Sequence, residues 1–121
     1  MPDARRLFGT AQEKLAAEFL ERKGMRVLRR QYQNHFGEID LICADGPELV
    51  FVEVKARRSE TYGYPEEAVT RNKIRHIMQT ADIYLQEEKI VDRPWRVDVV
   101  AIRYLDGKAP EIVHFPAIDM N

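Results

Sequence analysis

Two apolar segments joined by a short polar stretch decide the fold: Glu38–Ala44 has the sequence E-I-D-L-I-C-A and Leu49–Ala56 has the sequence L-V-F-V-E-V-K-A. Both segments are rich in β-branched and other apolar residues, which favour strands. The residues between them, Asp45-Gly46-Pro47-Glu48, have the composition of a turn, and a four-residue loop is an allowed hairpin length. The sequence therefore predicts an antiparallel hairpin.

This hairpin predicts a cluster of charged side chains. In the register set by the loop, Asp40 lies opposite Glu53. Glu38 lies opposite Lys55 on the same face, since side chains alternate along a strand. Opposed carboxylates repel each other. Either a hard cation such as Mg²⁺ or Mn²⁺ compensates them, or the face is solvated and neutralised by Lys55 and nearby arginines. Two acids and a lysine suit metal-assisted hydrolysis of a phosphodiester.

The remaining pattern predicts an α/β fold with a central mixed sheet flanked by helices, in the order α-β-β-β-α-β. The helices are expected over Thr10–Lys23 and about Glu66–Glu87, where apolar residues recur at helical spacing. The other strands are expected over Met25–Tyr32 and Arg96–Tyr104, and a last edge strand over Glu111–Phe115 is allowed. Ser59–Pro65 is expected to be a loop.

The composition indicates a single domain in a reducing compartment. A length of 121 residues is close to the usual size of one domain, here 1–121. The lone cysteine, Cys43, excludes an internal disulfide and is expected to be a small core residue. The sequence has no secretory signal pattern and no apolar run of roughly 18 residues, so we expect a cytoplasmic protein without membrane contact.

The charge balance is not typical of a nucleic-acid-binding protein, because the net charge is −1. The basic residues are nevertheless clustered, and such clusters are usually solvated faces unless they surround a site for an anion. The clusters are Arg26, Arg29 and Arg30; Arg57 and Arg58; and Arg71, Lys73, Arg75 and His76. Glycine-rich phosphate loops and G-x-S-x-G turns are absent, so nucleotide hydrolysis and esterase chemistry have no support.

Longer motifs carry a resemblance to a known family. Asp40 followed by Glu53-Val54-Lys55 is similar to the D…E-x-K core of restriction-endonuclease-like nucleases. G-E-I-D-L-I from Gly37 and F-V-E-V-K-A-R from Phe51 resemble the YraN-like family of small bacterial predicted endonucleases. That family belongs to the PD-(D/E)XK superfamily and is related to archaeal Holliday-junction resolvases.

The resemblance covers nearly the whole chain. It includes Glu13, the stretch A-V-T-x-x-K from Ala68 to Lys73 and R-V-D-V-V from Arg96 to Val100. Departures are Gln12, where the family usually has glycine, and Gln31 and Gln33, which replace the asparagine and arginine that often flank Tyr32. The first is expected to relax helix packing, and the second is expected to change a polar or DNA contact.

The resemblance implies a restriction-endonuclease-like fold and a role for each matching residue. Asp40 and Glu53 would be metal ligands, together with the backbone carbonyl of Val54. Lys55 would position or activate water. Glu13 would be a further ligand, directly or through water. The alternative for Glu13 is structural, because Thr10-x-x-Glu13 also matches a capping box at a helix start.

The function implied by the resemblance is Mg²⁺- or Mn²⁺-dependent hydrolysis of DNA, with branched or junction DNA among the expected substrates. Arg57, Arg71 and Lys73 are expected to contact phosphates. The alternatives are a nucleic-acid-binding or scaffold protein on the same fold with little or no turnover, and an RNA-processing nuclease. Related resolvases are dimers, so a homodimer stays open.

Other acidic and histidine residues have structural interpretations. Glu38 is expected to pair with Lys55, and Asp98 with Arg96 or a neighbour. His35 and His76 lack the spacing of zinc ligands.

Overall fold

The computed structural model describes residues 4–57 and 70–118, with side chains from residue 9 onward. The helices are α1 (Ala4–Arg22) and α2 (Arg71–Glu87), and the strands are β1 (Arg26–Asn34), β2 (Gly37–Asp45), β3 (Glu48–Arg57), β4 (Trp95–Arg103) and β5 (Glu111–Phe115). This order confirms the predicted α/β fold, and β5 is the additional edge strand. The predicted loop Ser59–Pro65 and the predicted helical residues 66–69 lie outside the described residues.

The described strands form one mixed five-stranded sheet in the order β1-β2-β3-β4-β5. Strands β3 and β4 are parallel, and the other neighbours are antiparallel. A parallel pair needs a long crossover, and the segment containing α2 supplies it. Among the described residues, neither helix is both long and apolar enough to cross a membrane.

The helices pack on opposite faces of the sheet and create a core on each side. On the α2 side, Phe51 makes edge-to-face contacts with Tyr84 and Trp95, a favoured arrangement of aromatic rings. On the α1 side, Ala16 and Ala17 are fully buried. Their small side chains let α1 approach the sheet closely, and Cys43 is buried in the same cluster, as predicted.

The element boundaries differ from the predicted ones at two places that matter for the site. Helix α1 begins at Ala4 instead of Thr10, because the preceding Ala, Arg and Leu residues are good helix formers. The β2–β3 turn has two residues instead of four, since Asp45 pairs with Glu48. Gly46 has a φ of 59°, the positive value that two-residue hairpin turns require.

The predicted hairpin register is confirmed over part of its length. The pairs Ile42/Phe51 and Ala44/Leu49 form as expected. Toward the other end of the hairpin, the last pair is Leu41/Val52. The ladder ends one residue before Asp40 and Glu53, which come next in the same register and whose charges still interact. The predicted ladder pair is not formed, because the Asp40 side chain bonds to the backbone of Val54 instead.

Candidate active site

The candidate site lies where β1 and β2 lose their regular strand geometry. Gln31 in β1 has a φ of 53°, which is uncommon for a residue other than glycine. In β2, Ile39 packs with Ile42 in the α2-side core, whereas Leu41 packs in the α1-side core. Strict alternation would put Ile39 and Leu41 on one face, so the face changes at Asp40.

Asp40 joins β2 to β3 through its side chain. Its Oδ2 atom accepts a hydrogen bond of 2.7 Å from the backbone N–H of Val54. Burial raises the pKa of the Asp40 carboxyl, whereas the bond from Val54 lowers it. The contact holds the carboxylate at the end of the ladder and places the backbone of Val54 beside the acid, whereas the role of the Val54 carbonyl as a metal ligand stays a prediction.

Helix α1 brings Glu13 to the same place. Carboxylate oxygens of Glu13, Glu38 and Asp40 lie within 4.8 Å of one another. Glu13 is only 8% exposed, and its Oε2 atom accepts a 2.8 Å hydrogen bond from Nε2 of Gln31. Thr10 lies inside α1, so the capping-box alternative for Glu13 is wrong.

The pKa of Glu13 is raised to about 7, chiefly by burial and also by the charges of Asp40 and Glu38, although the Gln31 hydrogen bond lowers it. The Gln31 contact was missed at the sequence level. The glutamine at position 31, where the family often has asparagine, was the available signal for this contact. Nothing in the sequence, however, connects β1 to α1. The geometry therefore favours a site role for Glu13.

Glu38 belongs to this cluster and is not the partner of Lys55 that the sequence predicted. Its carboxylate lies with those of Glu13 and Asp40, and it accepts a long 3.4 Å hydrogen bond from Gln33. The predicted contact required the hairpin ladder to continue past Leu41, and the ladder stops there. The i, i+2 spacing from Asp40 was the signal that could have identified Glu38.

Glu53 lies among lysines from two elements. Its side chain is 4% exposed, and its Oε1 atom is 3.5 Å from Nζ of Lys55 and 3.7 Å from Nζ of Lys73. Burial and the nearby charge of Asp40 raise the pKa of Glu53 to about 7, although both lysines lower it. We call Glu13, Glu38, Asp40, Glu53, Lys55 and Lys73 the acid–lysine site.

Lys73 was predicted to contact phosphate, but it lies inside this site. It occupies the first turn of α2, where its backbone N–H donates to the Oγ1 atom of the N-cap residue Thr70 at 3.2 Å. The cap fixes the start of the helix and so fixes the base of the lysine side chain. Arg57 and Arg71 are exposed at the end of β3 and the start of α2, and their phosphate contacts stay predictions.

Cavities open on both sides of Glu13. One of about 230 Å³ is lined by residues that include Glu13, Asp40, Val54 and Lys55. Another of about 490 Å³ is lined by residues that include Glu13, Gln31 and Glu38. The buried acids therefore face space that a ligand can enter. Hard carboxylate oxygens that converge in such a space fit Mg²⁺ or Mn²⁺.

Two polar residues outside the site have structural partners. Asp98 is fully buried and pairs with Arg96 at 3.0 Å, as predicted, and with Nε2 of His114 at 2.7 Å. Gln12 was expected to relax helix packing, but it is 5% exposed and accepts a 2.6 Å hydrogen bond from the Tyr104 hydroxyl. The amide thus joins α1 to the segment after β4.

Comparison with known proteins identifies the family of this chain. The profile described as "Uncharacterised protein family UPF0102" matches residues 12–102. The chain belongs to the UPF0102 family. A UPF0102 protein of Pelotomaculum thermopropionicum is 40% identical over 116 residues, which cover 95% of this chain and 97% of the relative. One of Geobacter sulfurreducens is 42% identical over 109 residues, covering 90% and 85%. The segment matched by the UPF0102 profile contains the whole acid–lysine site.

Proposed function

We propose that this UPF0102 chain is a Mg²⁺- or Mn²⁺-dependent endonuclease that hydrolyses DNA phosphodiester bonds. The observation that carries the proposal is the convergence of the carboxylates of Glu13, Glu38 and Asp40 beside the lysine-paired Glu53. The resemblance to the D…E-x-K core of the PD-(D/E)XK nucleases supports the same reaction, with a restriction-endonuclease-like fold. Branched or junction DNA is the substrate class that this resemblance suggests.

The acids would hold the metal, with Asp40 and Glu53 as the predicted ligands and the carbonyl of Val54 as a further one. The geometry favours adding Glu13 and Glu38, whose oxygens lie with those of Asp40. A bound divalent ion would polarise the phosphate and lower the pKa of an attacking water. Because burial raises the pKa values of Glu13 and Glu53, a compensating cation favours their ionised forms.

The lysines would act on the phosphate and the water. Lys55 lines the 230 Å³ cavity together with Asp40 and Glu13. An ammonium group there can orient a water molecule and stabilise negative charge that develops on a phosphoryl oxygen. Lys73 places a second ammonium group beside Glu53, which lowers the pKa of that acid and so favours its ionised form. No covalent intermediate is needed, since water is the nucleophile.

The arrangement favours an enzyme over a DNA-binding or scaffold protein. Burying several carboxylates together lowers the stability of a fold, because each loses hydration and repels the others. Glu53 and Glu13 are 3% and 8% exposed and both have raised pKa values. Perturbed acids beside a cavity, such as Glu13 here, are typical of reactive sites. A binding surface would need exposed cations and would gain nothing from these acids.

The test is cleavage of defined nucleic acids by the purified protein. Linear, flapped and four-way branched DNA, and matched RNA, are incubated with Mg²⁺ or Mn²⁺ and with EDTA. We expect metal-dependent cleavage of DNA by the wild type and its loss in Lys55→Ala. Lys14→Ala removes an exposed lysine from α1 and serves as the matched control. Cleavage only of RNA would support the RNA-processing alternative.

Calorimetric titration with Mn²⁺ separates the remaining outcomes. We expect uptake by the wild type and by Lys55→Ala, and little uptake by Asp40→Asn. If the wild type binds DNA but cleaves no substrate and takes up no metal, the DNA-binding alternative replaces the nuclease proposal.

A further inference from the structure

A groove continues from the acid–lysine site to the turn between β1 and β2. The 490 Å³ cavity beside Glu13 is also lined by Gln33 and Glu38. These two residues line a further cavity of about 570 Å³ that follows the chain from Gln33 to Glu38. Because the cavities share lining residues, they lie next to one another between Lys55 and the β1–β2 turn.

The tip of this turn presents two aromatic rings at the end of the groove. The rings of His35 and Phe36 have centroids 4.4 Å apart and planes tilted by 40°. Phe36 is 44% exposed, and His35 is also exposed. Aromatic side chains that stand free at a turn offer flat faces on which a base can stack.

The turn is held rigidly. The backbone N–H of Phe36 donates to Oδ1 of Asn34 at 2.9 Å. The Asn34 amide in turn donates to the Thr80 carbonyl in α2 at 3.3 Å and to the Tyr32 hydroxyl at 3.1 Å. Gly37 packs so closely on α2 that an added Cβ would be 3.0 Å from Oγ1 of Thr80. The backbone that carries the rings is therefore held in place, which lowers the entropy lost when a ligand binds there.

Helix α2 contacts both the β1–β2 turn and the acid–lysine site. Lys73 contacts Glu53, and Thr80 contacts the turn. With a helical rise of 1.5 Å per residue, these two contacts are separated by about 10 Å along the helix axis. The acid–lysine site and the turn therefore contact the same helix at positions about two turns apart.

We propose that His35 and Phe36 form a stacking platform for an unpaired base of the DNA strand whose phosphate binds the acid–lysine site. A base inside a duplex is covered on both faces by its neighbours, so the platform selects strands with unpaired nucleotides. Glu38 is the one acid among the described residues that line this end of the groove. The other lining residues are uncharged or histidine. That lining suits an uncharged base better than a phosphate. The inference rests on the proposed function and specifies its substrate.

Equilibrium binding tests the platform without requiring turnover. Fluorescence anisotropy is measured with Mn²⁺ on the Lys55→Ala protein, which keeps the DNA intact. The probes are a forked duplex with unpaired arms and a blunt duplex of the same length. Adding Phe36→Ala is expected to weaken fork binding by roughly 5- to 150-fold, equivalent to 1–3 kcal/mol, and blunt-duplex binding by less than about twofold. Phe36→Trp is expected to retain fork binding.

Val91→Ala is the matched control, because Val91 is a 78% exposed apolar residue in the connector between α2 and β4. It is expected to change neither affinity. An equal loss on both probes, or a Phe36→Ala protein that behaves like Val91→Ala, would overturn the platform. Cleavage of forked DNA by the wild type that survives Phe36→Ala unchanged would overturn the platform but leave the nuclease proposal intact. Fork binding that depends on Phe36 without any cleavage would support the platform and reject the nuclease.

Discussion

Replacing Glu53 by glutamine should make the metal-free protein more stable while removing its function. Glu53 is 3% exposed and its pKa is raised from 4.5 to about 7 by burial and by Asp40. Above pH 7 the folded protein contains an ionised acid in an environment that disfavours the charge. Glutamine has nearly the same shape without the charge. Glu53 therefore lowers the stability of the metal-free protein, and a role in metal binding would explain why an acid occupies this position.

The magnitude follows from linkage. Each pKa unit corresponds to 1.36 kcal/mol, so the shift of Glu53 amounts to roughly 3 kcal/mol at pH 8. Because the pKa is raised in the folded state, the contribution of this acid to stability is fully present below pH 4.5 and is lost as the pH rises through about 7. Glu53→Gln removes this pH dependence. At pH 8 we expect a gain of up to roughly 3 kcal/mol and about 10 °C in Tm.

Thermal and urea unfolding with EDTA at pH 5 and pH 8 measure this difference. Glu18→Gln, which changes an exposed acid on α1, is the control and should leave the unfolding curve unchanged. With Mn²⁺ at about 100 times its Kd, the wild type should gain about 2.7 kcal/mol and Glu53→Gln clearly less. A Glu53→Gln protein that is less stable than the wild type at pH 8 without metal would refute the reasoning.

Further predictions concern catalysis, pH, stability and salt. Lys55→Ala should lower kcat about 10²- to 10³-fold with unchanged Mn²⁺ affinity, measured by single-turnover cleavage and calorimetry. Mn²⁺ affinity should rise between pH 6 and 8, because Glu13 and Glu53 have pKa values raised to about 7 and must lose protons to bind metal; a flat pH profile would contradict this. Asp98→Ala should cost about 1–3 kcal/mol in urea unfolding, since it leaves the backbone N–H of Ala117 and Nε2 of His114 without this partner, while Arg96 keeps Asp45 and Glu48 and Mn²⁺ affinity is retained. DNA affinity should fall steeply from 50 to 200 mM salt, and constant affinity would argue against phosphate contacts.

Local patterns in the sequence were sufficient for the secondary structure and for much of the site. Segments rich in β-branched and other apolar residues predicted β2 and β3, and the Ile42/Phe51 register followed from the turn. These predictions succeed because strand propensity and turn geometry act over a few residues. The D…E-x-K spacing predicted a site of Asp40, Glu53 and Lys55, and the structure places Lys55 beside Glu53, while the roles of these residues stay predictions.

The tertiary structure alone decided how the acids are arranged. The break in alternation at Asp40, the positive φ of Gln31 and the approach of Glu13 from α1 depend on packing between distant segments. Lys73 reaches Glu53 only because α2 crosses over the sheet between β3 and β4. A sequence specifies which charges are present, but their separations, and therefore their pKa values, are set when helices on opposite faces of the sheet converge on one strand end.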